Sequence, residues 1–183
     1  MYGYVKVGSA VPKLRVADCV YNKEEILKLV EAAAAKQVRV LSFPELSVTG
    51  YTCADLFFQT PLLHAAEQAI QEIAEATKAL NIFLLIGAPI AVDNQMFNCA
   101  VALYRGKLLG IVPKTHIPNY SEFYEERWFA SADDLLTEEI TYAGQNVPIG
   151  ADLIFAAADF PALKIGVEIC EDLWVPIPPS SYL

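Results

Sequence analysis

The chain has 183 residues, 55% hydrophobic and 19% charged, which suits one domain with a substantial core and leaves little room for two. Its formal net charge of -9, with no Lys/Arg cluster to override it locally, argues against a nucleic-acid or anionic-membrane surface. The 4 cysteines (Cys19, Cys53, Cys99, Cys170) contain no Cys-x-x-Cys pair and only His64 and His116 accompany them, so neither a disulfide framework nor a zinc or His-based metal site is expected.

In chain order, Met1 to Val7 lacks the charged start, apolar stretch and cleavage site of a signal peptide, and no later run reaches membrane-spanning length, so a cytoplasmic location is expected. Val5 to Val11 reads as a strand, and Asn22 with Glu25 as a capping box opening a helix that runs to Lys36 and buries Ile26, Val30 and Ala33. Val38 to Phe43 is a β-branched and apolar core strand that stops at Pro44. Thr60-Pro61 supplies an N-cap and a first-turn proline for a helix carrying Leu62, Ala66, Ile70, Ile73 and Leu80, up to Asn81.

Ile82 to Gly87 reads as a second buried strand, and Phe97–Tyr104 with Lys107–Val112 as a hairpin about Arg105-Gly106. Asn119 to Gln145 has no sustained period and is expected to be a long ordered loop with short helical turns. Leu153–Ala158 and Leu163–Ile169 flank the Asp159–Ala162 turn as two further strands, with Cys170 ending the second. Pro176 to Leu183 shows no helix or strand that would close a fold, which leads to the expectation of a domain truncated on its C-terminal side, with an open apolar edge that favours association into a homo-oligomer.

Glu45, Lys114 and Cys170 each follow an apolar strand, and strand ends are where sheet-based folds gather reactive side chains. Singly, such a Glu or Lys is more often a solvated loop charge, and a Cys a small packed hydrophobe. Their surroundings are Phe43-Pro-Glu45-Leu-Ser-Val-Thr-Gly-Tyr51, Pro113-Lys114-Thr-His-Ile-Pro-Asn-Tyr120 and Gly166-Val-Glu-Ile-Cys170-Glu-Asp-Leu-Trp174. These three segments, in this order, resemble the signature segments of the nitrilase (carbon-nitrogen hydrolase) superfamily. The stretch Tyr120 to Arg127 and the run Cys170 to Ser180 are similar, more closely, to the glutaminase domains of glutamine-dependent NAD synthetases, and the likeness extends over nearly the whole chain.

The resemblance implies an α/β (α+β) fold, a nitrilase-like α-β-β-α sandwich of which residues 1–183 form the N-terminal portion. It implies a Glu45-Lys114-Cys170 triad that hydrolyses glutamine to glutamate and ammonia through a thioester. Glu125 would be the family's additional glutamate, with Glu126 beside it as the alternative, and Tyr120 and Glu171 would meet the substrate. The ammonia would pass to an ATP-dependent synthetase domain that amidates deamido-NAD; ATP and Mg belong to that domain, which these residues do not include. No Gly-x-x-x-x-Gly-Lys phosphate loop occurs, so no cofactor is expected here.

The chemistry has its own requirements. A free thiol titrates near about 8.5, so Cys170 needs a base, for which Glu45 is the candidate. Negative charge forming on the amide oxygen needs a cation or N–H donor, worth roughly 3–4 kcal/mol where water is excluded, and Lys114 fits. Two rivals stand beside this reading: a stand-alone amidase or carbamoylase using the same triad, and a catalytically incomplete association module. His116 invites a Cys-His pairing and Cys53 lies near Glu45, but neither matches a nucleophile motif. Glu125 to Arg127 also read as an exposed charge cluster, Tyr120 as a packing tyrosine and Glu171-Asp172 as a helix-start pair.

Overall fold

The computed structural model describes residues 3–183; Met1 and Tyr2, the first residues of the stretch read above for a leader, lie outside it. Its frame is a sheet in the order β1 (Val7–Ser9), β2 (Val40–Ser42), β3 (Phe83–Val92), β4 (Gln95–Tyr104) and β5 (Lys107–Pro113). β1, β2 and β3 are parallel, so each junction needs a crossover, supplied by α1 (Cys19–Ala35) and α2 (Thr60–Thr77). β3, β4 and β5 are antiparallel and joined by two-residue turns, Asp93-Asn94 and Arg105-Gly106, all four residues having positive φ as type I′ turns require.

Several boundaries differ from the sequence expectations. Helix α1 starts four residues earlier than expected, with Asp18 in place of Asn22 accepting the Tyr21 N–H as its cap. Asn22 is therefore inside the helix, fully buried and bonded to Arg15 and to the Val48 carbonyl, which a pattern of local spacing does not reveal. Thr60 is the first helical residue of α2, Gln59 occupies the cap position without a side-chain bond, and the helix stops at Thr77. Strand β3 runs five residues past Gly87. Gly87 turns its N–H and C=O away from β4, toward Ser47 and Val48, and Pro89 repeats that orientation two residues on, so its missing N–H costs no ladder bond.

The segment 119–145 holds 3-10 helices at Glu125–Arg127 and Ala132–Asp134 as expected, then enters a hairpin, β6 (Glu139–Tyr142) and β7 (Gln145–Pro148), that was not. The two late strands shrink to residue pairs, β8 (Phe155–Ala156) and β9 (Lys164–Ile165), and Cys170 opens a 3-10 helix (Cys170–Leu173) instead of ending a strand. No helix among the described residues is long and apolar enough to cross a membrane.

Both helices lie on one face of the sheet. Ile26 and Val30 of α1 and Ile70 and Ile73 of α2 are fully buried with Leu84, Ile86 and Val101 in one core. Each such side chain stabilises the fold by about 1.5–3 kcal/mol. The alternate residues, Leu85, Ala100 and Val112, face the other way and pack with Leu153, Phe155, Val167 and Ile169 in a smaller cluster. One helix layer and one sheet layer of the expected α/β architecture are thus present in these residues, and the second sheet face carries the β8–β9 segment.

Two local features decide what stands on that second face. In β5, Ala102 pairs with Gly110 but Leu103 pairs with Leu108, so Leu109 is an extra, bulged residue. Leu108 and Ile111 both join the helix-side core, and the bulge is what lets them. Without it Gly110, Val112 and Lys114 would share Leu108's side; with it they share the side of Ala100. The second feature is Gly87, across which the loop after β2 passes. A Cβ there would lie 2.3 Å from the Leu46 nitrogen, 2.6 Å from the Pro44 oxygen and 2.8 Å from the Glu45 carbonyl carbon. These are backbone atoms and have no rotamer by which to retreat.

Gly87→Ala is therefore expected to force the Pro44–Leu46 loop off the sheet. The cost is about 1–3 kcal/mol, as for other overpacked sites, and thermal melting should show a fall of several degrees. An unchanged melting temperature would show that the loop does not rest on β3 as described.

Candidate active site

The loop that rests on Gly87 delivers Glu45. Phe43 still bonds the Leu85 carbonyl, after which the chain turns tightly, with Leu46 at φ 52° and the Ser47, Thr49 and Gly50 N–H groups all bonding back within the loop. Leu46 and Val48 are fully buried and anchor the turn in the helix-side core. Glu45 is left pointing over the second face.

Lys114 arrives from the adjacent strand pair. Its N–H bonds the Asn98 carbonyl at 2.8 Å, continuing the β4–β5 ladder by one residue, so the Asn98 and Lys114 side chains stand side by side on that face. The ammonium is completely buried and lies 2.7 Å from Glu45 Oε1 and 2.8 Å from Glu125 Oε2. Asn98 Nδ2 donates to the same Glu45 oxygen, while its own Oδ1 is buried without a partner.

Glu125 comes from the 119–145 segment. Its N–H bonds the Pro118 carbonyl and its Oε1 accepts the Tyr51 hydroxyl at 2.6 Å. The segment is held down next to it by Arg127, which forms a bidentate pair with Asp55 at 2.7 and 2.8 Å, by the Trp128 indole N–H on the same Asp55, and by Phe57 packed on Trp128 and Phe129. Glu126, the alternative from sequence, is exposed and accepts from Asn119.

Cys170 is at φ 49°, in the left-handed region that non-glycine residues seldom adopt. Among the 4 cysteines it alone is exposed; Cys19, Cys53 and Cys99 are buried, and the Cys53 thiol donates to the Thr49 and Gly50 carbonyls. Cys170 and Glu45 line one cavity of about 330 Å³ with Gly87, Ala100 and Val167. Beside it, Tyr120 donates to both Glu171 oxygens at 2.9 Å, at the margin of a wider cleft of about 1140 Å³ that also takes in His116, Trp128 and Ser131. Among the described residues no group of three His, Cys, Asp or Glu side chains is placed to hold a metal ion.

The electrostatics follow from burial. Desolvation pushes the Lys114 ammonium down, but Glu45 and Glu125 more than reverse this and hold it above the ordinary lysine value. Burial pushes the Cys170 thiol up, Glu45 pushes it further, and Lys114 opposes; the balance lies above an ordinary thiol. The thiol is therefore protonated near neutrality and needs a base to react. Burial and the bond to Glu125 likewise hold the Tyr51 hydroxyl well above its usual range, so it remains a donor.

Hydrogen-bond bookkeeping separates the two glutamates. Both Glu125 oxygens are engaged, one by Lys114 and one by Tyr51. Glu45 uses only Oε1, for Lys114 and Asn98, and its Oε2 has no partner among the described residues. Lys114 has three N–H donors, two of them committed, so one remains. The arrangement can accept a proton at Glu45 Oε2 and offer a cationic N–H to an oxygen nearby.

Asn98, Tyr51 and Asp172 were not singled out from sequence. Asn98 did carry a signal, a lone amide in an otherwise apolar strand, where Asn is disfavoured. Tyr51 and Asp172 carried none that separates them from a packing tyrosine and a helix-start acid.

Two substitutions should move the Cys170 thiol in opposite directions, read as the pH dependence of alkylation by iodoacetamide. Glu45→Gln removes a negative charge that raises the thiol and is expected to lower its midpoint; Lys114→Met removes the opposing cation and is expected to raise it. Lys114→Met should also destabilise the protein by about 3–5 kcal/mol, because two carboxylates are left buried without their cation. Equal shifts in one direction would show that the thiol does not sense these groups.

Comparison with known proteins accords with this geometry. Residues 6–178 match the family model described as carbon-nitrogen hydrolase. The chain is 39% identical over 179 residues to the glutamine-dependent NAD(+) synthetase of Mycobacterium leprae, a match that covers 98% of this chain and 26% of that protein. The crystal structure of a glutamine-dependent NAD(+) synthetase from Cytophaga hutchinsonii superposes with a TM-score of 0.82 at 30% identity, covering 91% of this chain and 28% of the other. An amidase from Nesterenkonia sp. AN1 shares the fold at a TM-score of 0.67 and 17% identity, over 92% of this chain and 59% of its own. The chain thus spans about a quarter of the length of the synthetases it matches. With the match running from Lys6 to Pro178, this chain belongs to the carbon-nitrogen hydrolase family.

Proposed function

We propose that Cys170, Glu45 and Lys114 hydrolyse the side-chain amide of glutamine to glutamate and ammonia through a thioester. The observation that carries this is the fully buried Lys114 ammonium between two carboxylates, with an uncommitted N–H, beside the cavity that Cys170 and Glu45 share.

Glu45 Oε2 takes the thiol proton as sulfur attacks the amide carbon, and the remaining Lys114 N–H receives the oxygen on which negative charge forms. As the carbon–nitrogen bond breaks, Glu45 returns the proton to nitrogen and ammonia leaves. Water then attacks the thioester carbon, giving its proton to Glu45. Glu45 passes that proton to sulfur as glutamate departs, and the site is restored. The raised thiol makes this order necessary, because little thiolate exists until a base takes the proton.

Glu125, with both oxygens engaged, orients Lys114 and takes no proton in this scheme. Tyr120 and Glu171, adjacent to Cys170 and open to the wider cleft, supply a hydroxyl and a carboxylate for the polar end of the substrate, where glutamine carries an ammonium. The likeness to glutamine-dependent synthetases supports glutamine as the amide. On the same ground, the ammonia is destined for an ATP-dependent synthetase domain that amidates deamido-NAD in the whole protein.

Exposure to an electrophilic glutamine analogue, followed by mass spectrometry, is expected to give one adduct, at Cys170. Cys170→Ala should abolish it and Lys114→Ala should slow it by about 100-fold, the scale of a lost oxyanion donor. Labelling at Cys53, or glutamine turnover by Cys170→Ala, would sink the assignment.

A further inference from the structure

We infer that Asp172 is a positioning residue whose carboxylate sets the distance between the Cys170 thiol and the Lys114 ammonium. The inference rests on the roles proposed above for those two residues. Asp172 is 2% exposed, and its carboxylate accepts three backbone N–H groups: Thr115 at 3.1 Å and His116 at 2.7 Å on Oδ1, and Ile169 at 3.1 Å on Oδ2. Two of the donors directly follow Lys114 and the third directly precedes Cys170.

The one other directional bond among the described residues from the Cys170 turn to the segment after Lys114 is that of the Tyr120 hydroxyl to Glu171, which is exposed to solvent. β9 ends at Ile165 and pairs only with β8, so no ladder ties the Cys170 turn to β5. Among the described residues, the hydrogen bonds between residues 166–174 and residues 111–118 all end on this carboxylate. The buried link beside it is the apolar contact of Val167 and Ile169 with Ala100 and Val112, which is non-directional and tolerates sliding. Lys114 is separately fixed by Glu45 and Glu125. Releasing Asp172 therefore frees the cysteine side, and Cys170, held at φ 49°, is the residue that would relax.

The test uses the full-length protein and reads the pH midpoint of Cys170 alkylation by iodoacetamide without substrate, alongside kcat and KM for glutamine. Asp172→Asn keeps an acceptor for Thr115 and His116 but turns an N–H toward Ile169. The expected result is a lowered midpoint, as the thiol moves away from the buried, net-negative Glu45–Lys114–Glu125 cluster, with kcat at least about 10-fold lower and KM within about twofold. The groups facing the thiol, namely Glu45, Lys114, Glu125 and Glu171, are unchanged. Removing a negative charge by itself would also lower the midpoint, so the charge-conserving variant is what distinguishes positioning from local electrostatics.

Asp172→Glu, with the charge kept and the reach lengthened by one methylene, should move the midpoint the same way, and it decides the matter if the Asn variant does not fold. In the wild-type protein, the amides of Thr115, His116 and Ile169 should exchange hydrogen slowly and together. A midpoint that stays or rises in folded Asp172→Glu, or rapid exchange at any of the three amides, would overturn the inference. Activity in Cys170→Ala would instead overturn the proposed function; alkylation and exchange, which need no glutamine, still read the clamp.

Discussion

A lysine ammonium with no exposure to solvent is costly unless its charge is answered on the spot, and Lys114 is answered twice, by Glu45 and Glu125. That pair of contacts constrains everything around it. Two carboxylates must be brought to one nitrogen from distant parts of the chain, and each must be restrained from swinging away. Asn98 restrains Glu45 and Tyr51 restrains Glu125, both through the carboxylate itself. The result is a fixed positive group with one donor left over, and a fixed negative group with one oxygen left over.

The sheet is built to permit this meeting. A bulge at Leu109 moves Lys114 to the face opposite the helices, and the absence of a side chain at Gly87 lets the Glu45 loop lie on that same face. Strain is accepted where the chain turns toward the site. Leu46 and Cys170 both hold left-handed backbone angles, at roughly 1–2 kcal/mol each, and the first is offset by burying Leu46 and Val48. At Cys170, Asp172 provides the corresponding restraint on the preceding residue.

Net charge within the cluster also shapes the chemistry. Burial first, and then the excess negative charge left by one cation between two carboxylates, hold the Cys170 thiol above its ordinary value. A site that instead lowered the thiol would carry a standing thiolate open to oxidation and alkylation.

Much of the fold was readable from sequence because its signals are local. The apolar period of α2, the core-facing Ile26, Val30 and Ala33 of α1 and the Arg105-Gly106 hairpin depend on neighbours a few residues apart, and all appear as expected. Glu45, Lys114 and Cys170 were legible as candidates from their motif segments. The sequence by itself thus determined which residues are chemically suited and that Lys114 directly follows a strand. Tertiary structure alone decided the rest: that Asn22 is a buried helix residue bonded to Val48, that Pro89 sits harmlessly in β3, that Glu125 and not Glu126 meets Lys114, and that Tyr51, Asn98 and Asp172 belong to the site. Each of these depends on partners 11 to 74 positions apart in the chain or on which side of a sheet a residue falls, and one bulged residue is enough to reverse that side.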